Sequence, residues 1–427
     1  MTPFFLLVEI SIFIYAAYLL VYKQELAIIH MPAVFFAQAI ITPKLPALVY
    51  YVMISLFILF FISKNLPFFK TNIFALLLCL LFLLLIPGAH DLVFLRPFLF
   101  AVFWLFLLIP LIGSIYPKYP GRVVFKELST VAFIVLCLFC LNVIFSSLNG
   151  YAPNAMYNIT TGVLYGNLYA TDFNIIPIAL FIVLMKFMAK RDWVYFAVFM
   201  LSLAFIMLSL RRSVMGLSLL GIAVAVFIFL TPQNVKSLAG FSIFFILLGS
   251  LIVINTNFLD LFQERYALRD LDNRELSEEK RLLEYELIYK DMFVYQDYSP
   301  WIGYGLFNSG GNYGKGELGT RTLHADLTNM AHSTGLIGLT LYLLVMMTAF
   351  YQVYQKSHTR TDKFILLFCA LVFIVYTITG RFTNISSFVL MILLLKLPLT
   401  IKLRRRRKKV RVLLPEKEME PIISPQY

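Results

Sequence analysis

The chain has 427 residues, 60% of them hydrophobic and only 14% charged, with a formal net charge of +13. Soluble domains carry about a quarter charged residues. The composition therefore excludes an ordinary water-soluble fold and points to the bilayer as solvent, with helical spans recurring along nearly the whole chain.

The first apolar run, Phe4 to Tyr22, has no basic leader and no small-residue cleavage site, and reads as a membrane helix rather than a cleaved signal. Glu9 lies inside it, an intramembrane acid without an obvious sequence partner. Further spans are predicted near 45 to 62, 72 to 88, 96 to 115, 129 to 147, 172 to 189, 193 to 210, 213 to 230, 239 to 256, 331 to 353, 364 to 380 and 384 to 399, twelve with the first. Segment 26 to 42 is apolar but interrupted by His30, Pro32, Gln38 and Pro43, and reads as a thirteenth span or a re-entrant piece. Cys79, Cys137, Cys140 and Cys369 all fall in apolar runs and imply neither disulfides nor a zinc site.

Short cytoplasmic loops hold an excess of Lys and Arg. The tail Lys402 to Arg411 has eight basic residues in ten positions, and loops 63 to 70, 116 to 126, 186 to 192, 231 to 237 and 354 to 363 fall on its side when spans are counted backwards. The C-terminus is thus expected in the cytoplasm. Twelve spans put the N-terminus there too; thirteen put it outside. The tail reads as a topology determinant touching anionic lipid, with no nucleic acid as partner.

The chain divides into helices over 1–256, one large external loop over 257–330, three last spans over 331–400 and a basic tail over 401–427. The loop holds 13 acidic residues, Glu284 among them, against eight basic ones. Ser277, Glu278 and Glu279 predict a helix start with a cap and two acids in the first turn. A Gly- and aromatic-rich stretch, Ser299 to Leu323, follows with its tight turns.

Candidate chemistry gathers on this external side. His324 closes the loop, where a histidine base can take a proton from a hydroxyl. His332, about two helical turns on, reads as a packing histidine bonded to a neighbouring helix. Arg211 and Arg212 share a near-loopless connection between two spans, where a pair of guanidinium groups suits a bound phosphate. Arg281 and Arg321 lie in the large loop and join them only if it folds back. His90 and Asp91 form an adjacent pair that seldom achieves base-and-orienter geometry.

These pieces resemble the O-antigen ligase and O-antigen polymerase family of bacterial membrane glycosyltransferases. His324 followed by Gly335 and Gly338 is similar to the signature that ends the family's large periplasmic loop. The stretch LSLRRSVMGLSLL resembles its Ser-Arg helix start, with Arg212 at the arginine position. The segment from Lys280 to Phe307 resembles its loop helix and turn, with Arg281, Pro300, Gly303 and Gly305 matching, and GVLYGNLYATDFN resembles its Gly/Asn-rich segment through Asn167 and Ala170. The resemblance covers about residues 160 to 345. It departs at Ala325, where the family commonly has Asn.

The resemblance implies an all-α, GT-C-like enzyme of the bacterial inner membrane that needs no metal or other cofactor. Its donor would be an undecaprenyl-pyrophosphate-linked glycan, and its acceptor the hydroxyl of a saccharide or of a lipid-linked acceptor, reached on the periplasmic face. His324 would be catalytic, and Arg211, Arg212, Arg281 and Arg321 would hold the pyrophosphate. The apolar spans could hold the polyprenyl tail and the aromatic loop could stack on sugars. The alternative reading, a transporter or flippase of lipid-linked saccharide, predicts matched halves and polar broken helices at mid-membrane. Here charge gathers at one face without an internal repeat. A membrane scaffold would have no need of paired external arginines.

Overall fold

The computed structural model describes residues 1–153, 162–230, 235–255, 257–267, 280–379 and 384–401. The expected cap at Ser277, most of loop 231 to 237 and the basic tail Lys402 to Arg411 lie outside these residues. Among the described residues there is no sheet, only two isolated bridges. The chain is an all-α bundle, as composition requires.

The helices are α1 (Thr2–Tyr18), α2 (Met31–Ala39), α3 (Ala47–Lys64), α4 (Ile73–Leu85), α5 (Leu92–Ile115), α6 (Gly121–Leu148), α7 (Ile175–Lys190), α8 (Trp193–Leu208), α9 (Arg212–Phe229), α10 (Val235–Asn255), α11 (Phe258–Ala267), α12 (Lys280–Tyr289), α13 (Asp326–Lys356), α14 (Arg360–Thr379) and α15 (Ile385–Leu395). Among the described residues, eight helical stretches, formed by α1 with α2 and by α3, α5, α6, α7, α9, α13 and α14, are long and apolar enough to cross a membrane. α4, α8 and α15 are shorter apolar helices, and α10 coincides with the span expected over 239 to 256. α13 begins at Asp326, inside the stretch assigned above to the loop.

Segment 26 to 42 is neither loop nor straight continuation. Gln24 adopts φ 50° and ψ −121°, a sharp turn, after which a 3-10 helix (Gln24–His30) and α2 run back along α1. Tyr15 bonds His30. Further up α1, Glu9 accepts the backbone N–H groups of Lys44 and Leu45 at 3.1 Å and the Tyr50 hydroxyl at 2.6 Å. The acid that lacked a partner in the sequence caps the end of this returning segment. Phe4 and Phe5 pack on Phe145 and Tyr151, so Met1 lies at the end of the bundle opposite Lys23.

Side-chain contacts sort the connections into two ends. At one, Lys23 pairs with Glu127 at 2.8 Å and Lys118 with Glu25 at 2.7 Å, while Asn65 donates to Glu25 at 2.9 Å. Ile401 bonds Tyr119 and Gly121 at the same end. The basic loops 63 to 70 and 116 to 126 and the last described residues thus share one face. At the other, Asn384 bonds Asp172, Arg211 covers Phe173, and Tyr304 stacks on His90. Beside Pro110, inside α5, Thr71 Oγ1 donates to the oxygen of Pro110 and Lys396 Nζ to that of Ile109, both at 2.8 Å.

The large loop docks on a break in α13. Gly335 has φ 64° and ψ −165° within the helix. The amides freed there are taken by the loop: Leu336 N–H donates to Pro300 at 2.8 Å and Ile337 N–H to Trp301 at 3.2 Å. In return Tyr304 N–H donates to the His332 carbonyl at 2.7 Å. Backbone lies on backbone, which only glycine permits at the contact. A Cβ on Gly335 would stand 2.3 Å from the Trp301 carbonyl carbon, and one on Gly303, at φ 75°, would stand 2.5 Å from the His332 oxygen. Gly335 thus receives the backbone of the loop. A small core of Leu287, Ile288, Met292, Tyr313, Leu323 and Ala331 fastens α12 to the same region.

Gly335→Ala is expected to destabilise the protein by more than about 1 kcal/mol, since it adds both strain and a clash. Gly216→Ala, on open surface of α9, should be neutral or gain up to about 1 kcal/mol. Thermal unfolding in detergent, followed by tryptophan fluorescence, distinguishes them.

Candidate functional site

His324 lies between the Gly-rich stretch and the first turn of α13, with its side chain 36% exposed. Its surroundings are set by one residue of α12. Glu284 is fully buried, and its carboxylate gathers donors from two directions. Arg321 Nε and Nη2 donate to Oε1 at 3.1 and 3.0 Å, and the N–H groups of His324 and Ala325 donate to Oε2 at 3.0 and 3.4 Å. His324 Nδ1 stands 3.3 Å from Oε1, a charge contact rather than a well-aligned hydrogen bond. Burial alone would raise the Glu284 carboxyl pKa; the His324 side chain and backbone, the His324 charge and Arg321 outweigh it and hold the group below its ordinary 4.5.

A carboxylate beside Nδ1 favours the proton on that nitrogen and leaves the lone pair on Nε2. An imidazole in that tautomer can accept a proton at Nε2. Glu284 stood in the sequence only as one of the loop's acids. Its spacing of 40 residues from His324 carries no periodic signal, although its place one turn after Arg281 on an amphipathic helix could have marked it.

Ala325 is the N-cap of α13 and supplies no capping side chain. Its amide and that of His324 are bound by Glu284, so the backbone that carries the histidine is oriented from α12 and needs no side chain at 325.

The predicted arginines divide. Arg321 is committed to Glu284. Arg211, the N-cap of α9, lays its guanidinium 4.2 Å from the centre of the Phe173 ring with the Asp172 carboxylate as a neighbouring charge. Arg212 opens α9 and is exposed, and Arg281 is half-buried in the first turn of α12. The structure brings His324 and Arg321 together and gives Arg211 a different set of partners, where α7, α9 and the Asn384 turn meet.

His332 is fully buried: Nε2 lies 3.0 Å from the Asn312 oxygen, and the ring stacks on Tyr304 at 5.2 Å. It is a packing histidine, bonded to the loop rather than to a neighbouring helix. His90 also stacks on Tyr304, at 5.0 Å, while Asp91 caps α5 through Phe94 N–H at 3.0 Å, so these two neighbours do not act as a pair. Tyr304 is thus in contact with both His90 and His332.

Residues 197–343 match the family model described as O-antigen ligase, a range that contains Arg211, Arg212, Arg281, Glu284, Arg321 and His324. No curated protein matches the chain.

Glu284→Gln is expected to lower the melting temperature at neutral pH. Because the folded carboxyl titrates below its ordinary value, its stabilisation is present above pH 4.5 and is lost as pH falls through the folded value. The gap between wild type and variant should therefore narrow below pH 4.5, as thermal melts across that range would show.

Proposed function

We propose that this chain, which belongs to the O-antigen ligase family through residues 197–343, is a GT-C-like inner-membrane glycosyltransferase of surface polysaccharide biosynthesis. It moves a glycan from undecaprenyl pyrophosphate to an acceptor hydroxyl on the periplasmic face, without a metal. The observation that carries this reading is the contact between His324 Nδ1 and the buried Glu284, inside the matched segment. The positive-inside tendency orients the bundle, with the Lys23, Lys118 and Ile401 end cytoplasmic and the His324 end periplasmic.

In the reaction the acceptor oxygen attacks the anomeric carbon while His324 Nε2 takes its proton. The bond from that carbon to the pyrophosphate oxygen breaks, and the electron pair leaves on the pyrophosphate. Arg212 and Arg281 meet the charge that grows there. Arg211 holds the α9 start against Phe173 and Asp172 while remaining within the anion's field, and Arg321 fixes Glu284. Glu284 keeps the histidine in the tautomer that accepts at Nε2 and stabilises the imidazolium that forms.

His324→Ala is expected to lower transfer by about 10²- to 10⁴-fold, the contribution of a positioned base, and Arg212→Ala to abolish it, with expression and membrane insertion preserved in both. Normal glycan length and attachment in both variants would sink the proposal. Glu284→Gln should reduce kcat while leaving KM for the lipid-linked donor near the wild-type value, measured by transfer from a defined donor. Deletion of the chain followed by glycan gels identifies the acceptor class: lipid-linked polymer accumulates if the chain is a ligase, and single-repeat products appear if it is a polymerase.

A further inference from the structure

The loop turns a group of apolar and aromatic side chains outward, with Lys315 over the ring of one of them, Tyr295, at 3.7 Å. Tyr289, Phe293, Val294, Tyr295, Trp301 and Ile302 are all exposed, Trp301 at 63%, while Leu287, Ile288 and Met292 of the same segment point into the loop's core. The height of this face is set by α13. Trp301 accepts from Ile337 N–H, so it stands level with Ile337, itself an exposed residue on the outer surface of a membrane helix.

Beyond its break at Gly335, α13 runs unbroken from Leu336 to Lys356, about 31 Å at 1.5 Å per residue, against a hydrocarbon core of about 30 Å. About 20 residues fill that thickness. Counted back from Lys356, at the basic end, they reach Ile337. The preceding residues, Asp326 to Leu336, are surplus to the span and are rich in buried polar side chains: Asp326, Thr328, Asn329, His332, Ser333 and Thr334. The hydrocarbon boundary therefore falls at the level of Trp301 and Ile302. Tryptophan and tyrosine favour this zone, where an apolar ring and a polar edge both find partners.

We propose that the segment Tyr289 to Ile302 is a membrane-interface anchor, seated in the outer boundary of the same bilayer that the bundle spans, with Trp301 at the headgroup-to-acyl junction. Its lipid-facing surface continues the exposed belt of α13. The anchor holds α12, and with it Glu284 and His324, beyond the hydrocarbon boundary, among the headgroups and the water outside them. This inference rests on the height of the loop and not on transfer activity.

The test is fluorescence of the full chain in nanodiscs. The protein has three tryptophans: Trp104 is buried in the bundle and Trp193 is exposed at the opposite end. Trp104→Phe with Trp193→Phe leaves Trp301 as the only emitter. Should the double variant misfold, the difference between wild-type and Trp301→Phe spectra isolates the same signal. Lipids brominated near the headgroup end of the acyl chain are expected to quench Trp301 strongly, and lipids brominated near the methyl end less. Unchanged Trp301 emission with both lipids, together with full quenching by aqueous acrylamide, would overturn the proposal.

Discussion

A buried carboxylate must be matched by donors, because leaving one unpaired inside a protein costs several kcal/mol. Glu284 sets that requirement for the whole loop end. It is fully enclosed, and its donors come from Arg321 and from two backbone amides at the start of α13. None of these can withdraw without stranding charge. α12, the Gly-rich stretch and the top of α13 are therefore held as one body, and His324 inherits its position from that constraint.

The second fastening, at Gly335, lies deeper and is made of backbone alone. A helix interrupted near the membrane surface leaves amides that must be satisfied, and the Pro300 to Trp301 carbonyls satisfy them. The two fastenings grip the loop at two heights, one electrostatic and one geometric. Arg211 and Arg212 belong to another part of the bundle, where α9 packs on α7 and α14. In the proposed reaction the donor's pyrophosphate would bridge the two, with the anion at the α9 start and the acceptor hydroxyl at His324.

The opposite end spends its charges on itself. Glu127 holds Lys23 and His30, and Glu25 holds Lys118 and Asn65. Those contacts tie the Gln24 turn to α6 and to the connections before α4 and α6. They fix how the first helix returns, and so which end of the bundle holds Met1.

The sequence by itself determined the helical class, the positions of nearly all the apolar helices, the polar loop near the C-terminal third and His324 as the residue of interest, because hydropathy and span length are local quantities that the bilayer reads directly. It also placed Gly303, Gly335 and the arginines in order. Only the tertiary structure decided which of them meet. Glu9 found its partners 35 or more residues away, Glu284 reached His324 across 40 residues, and Arg321, a candidate phosphate ligand, bonds that carboxylate. Such pairings depend on how a loop folds back over helix ends, and nothing in residue spacing encodes them: the desolvation cost of a buried charge selects its partners only once the chain has closed around it.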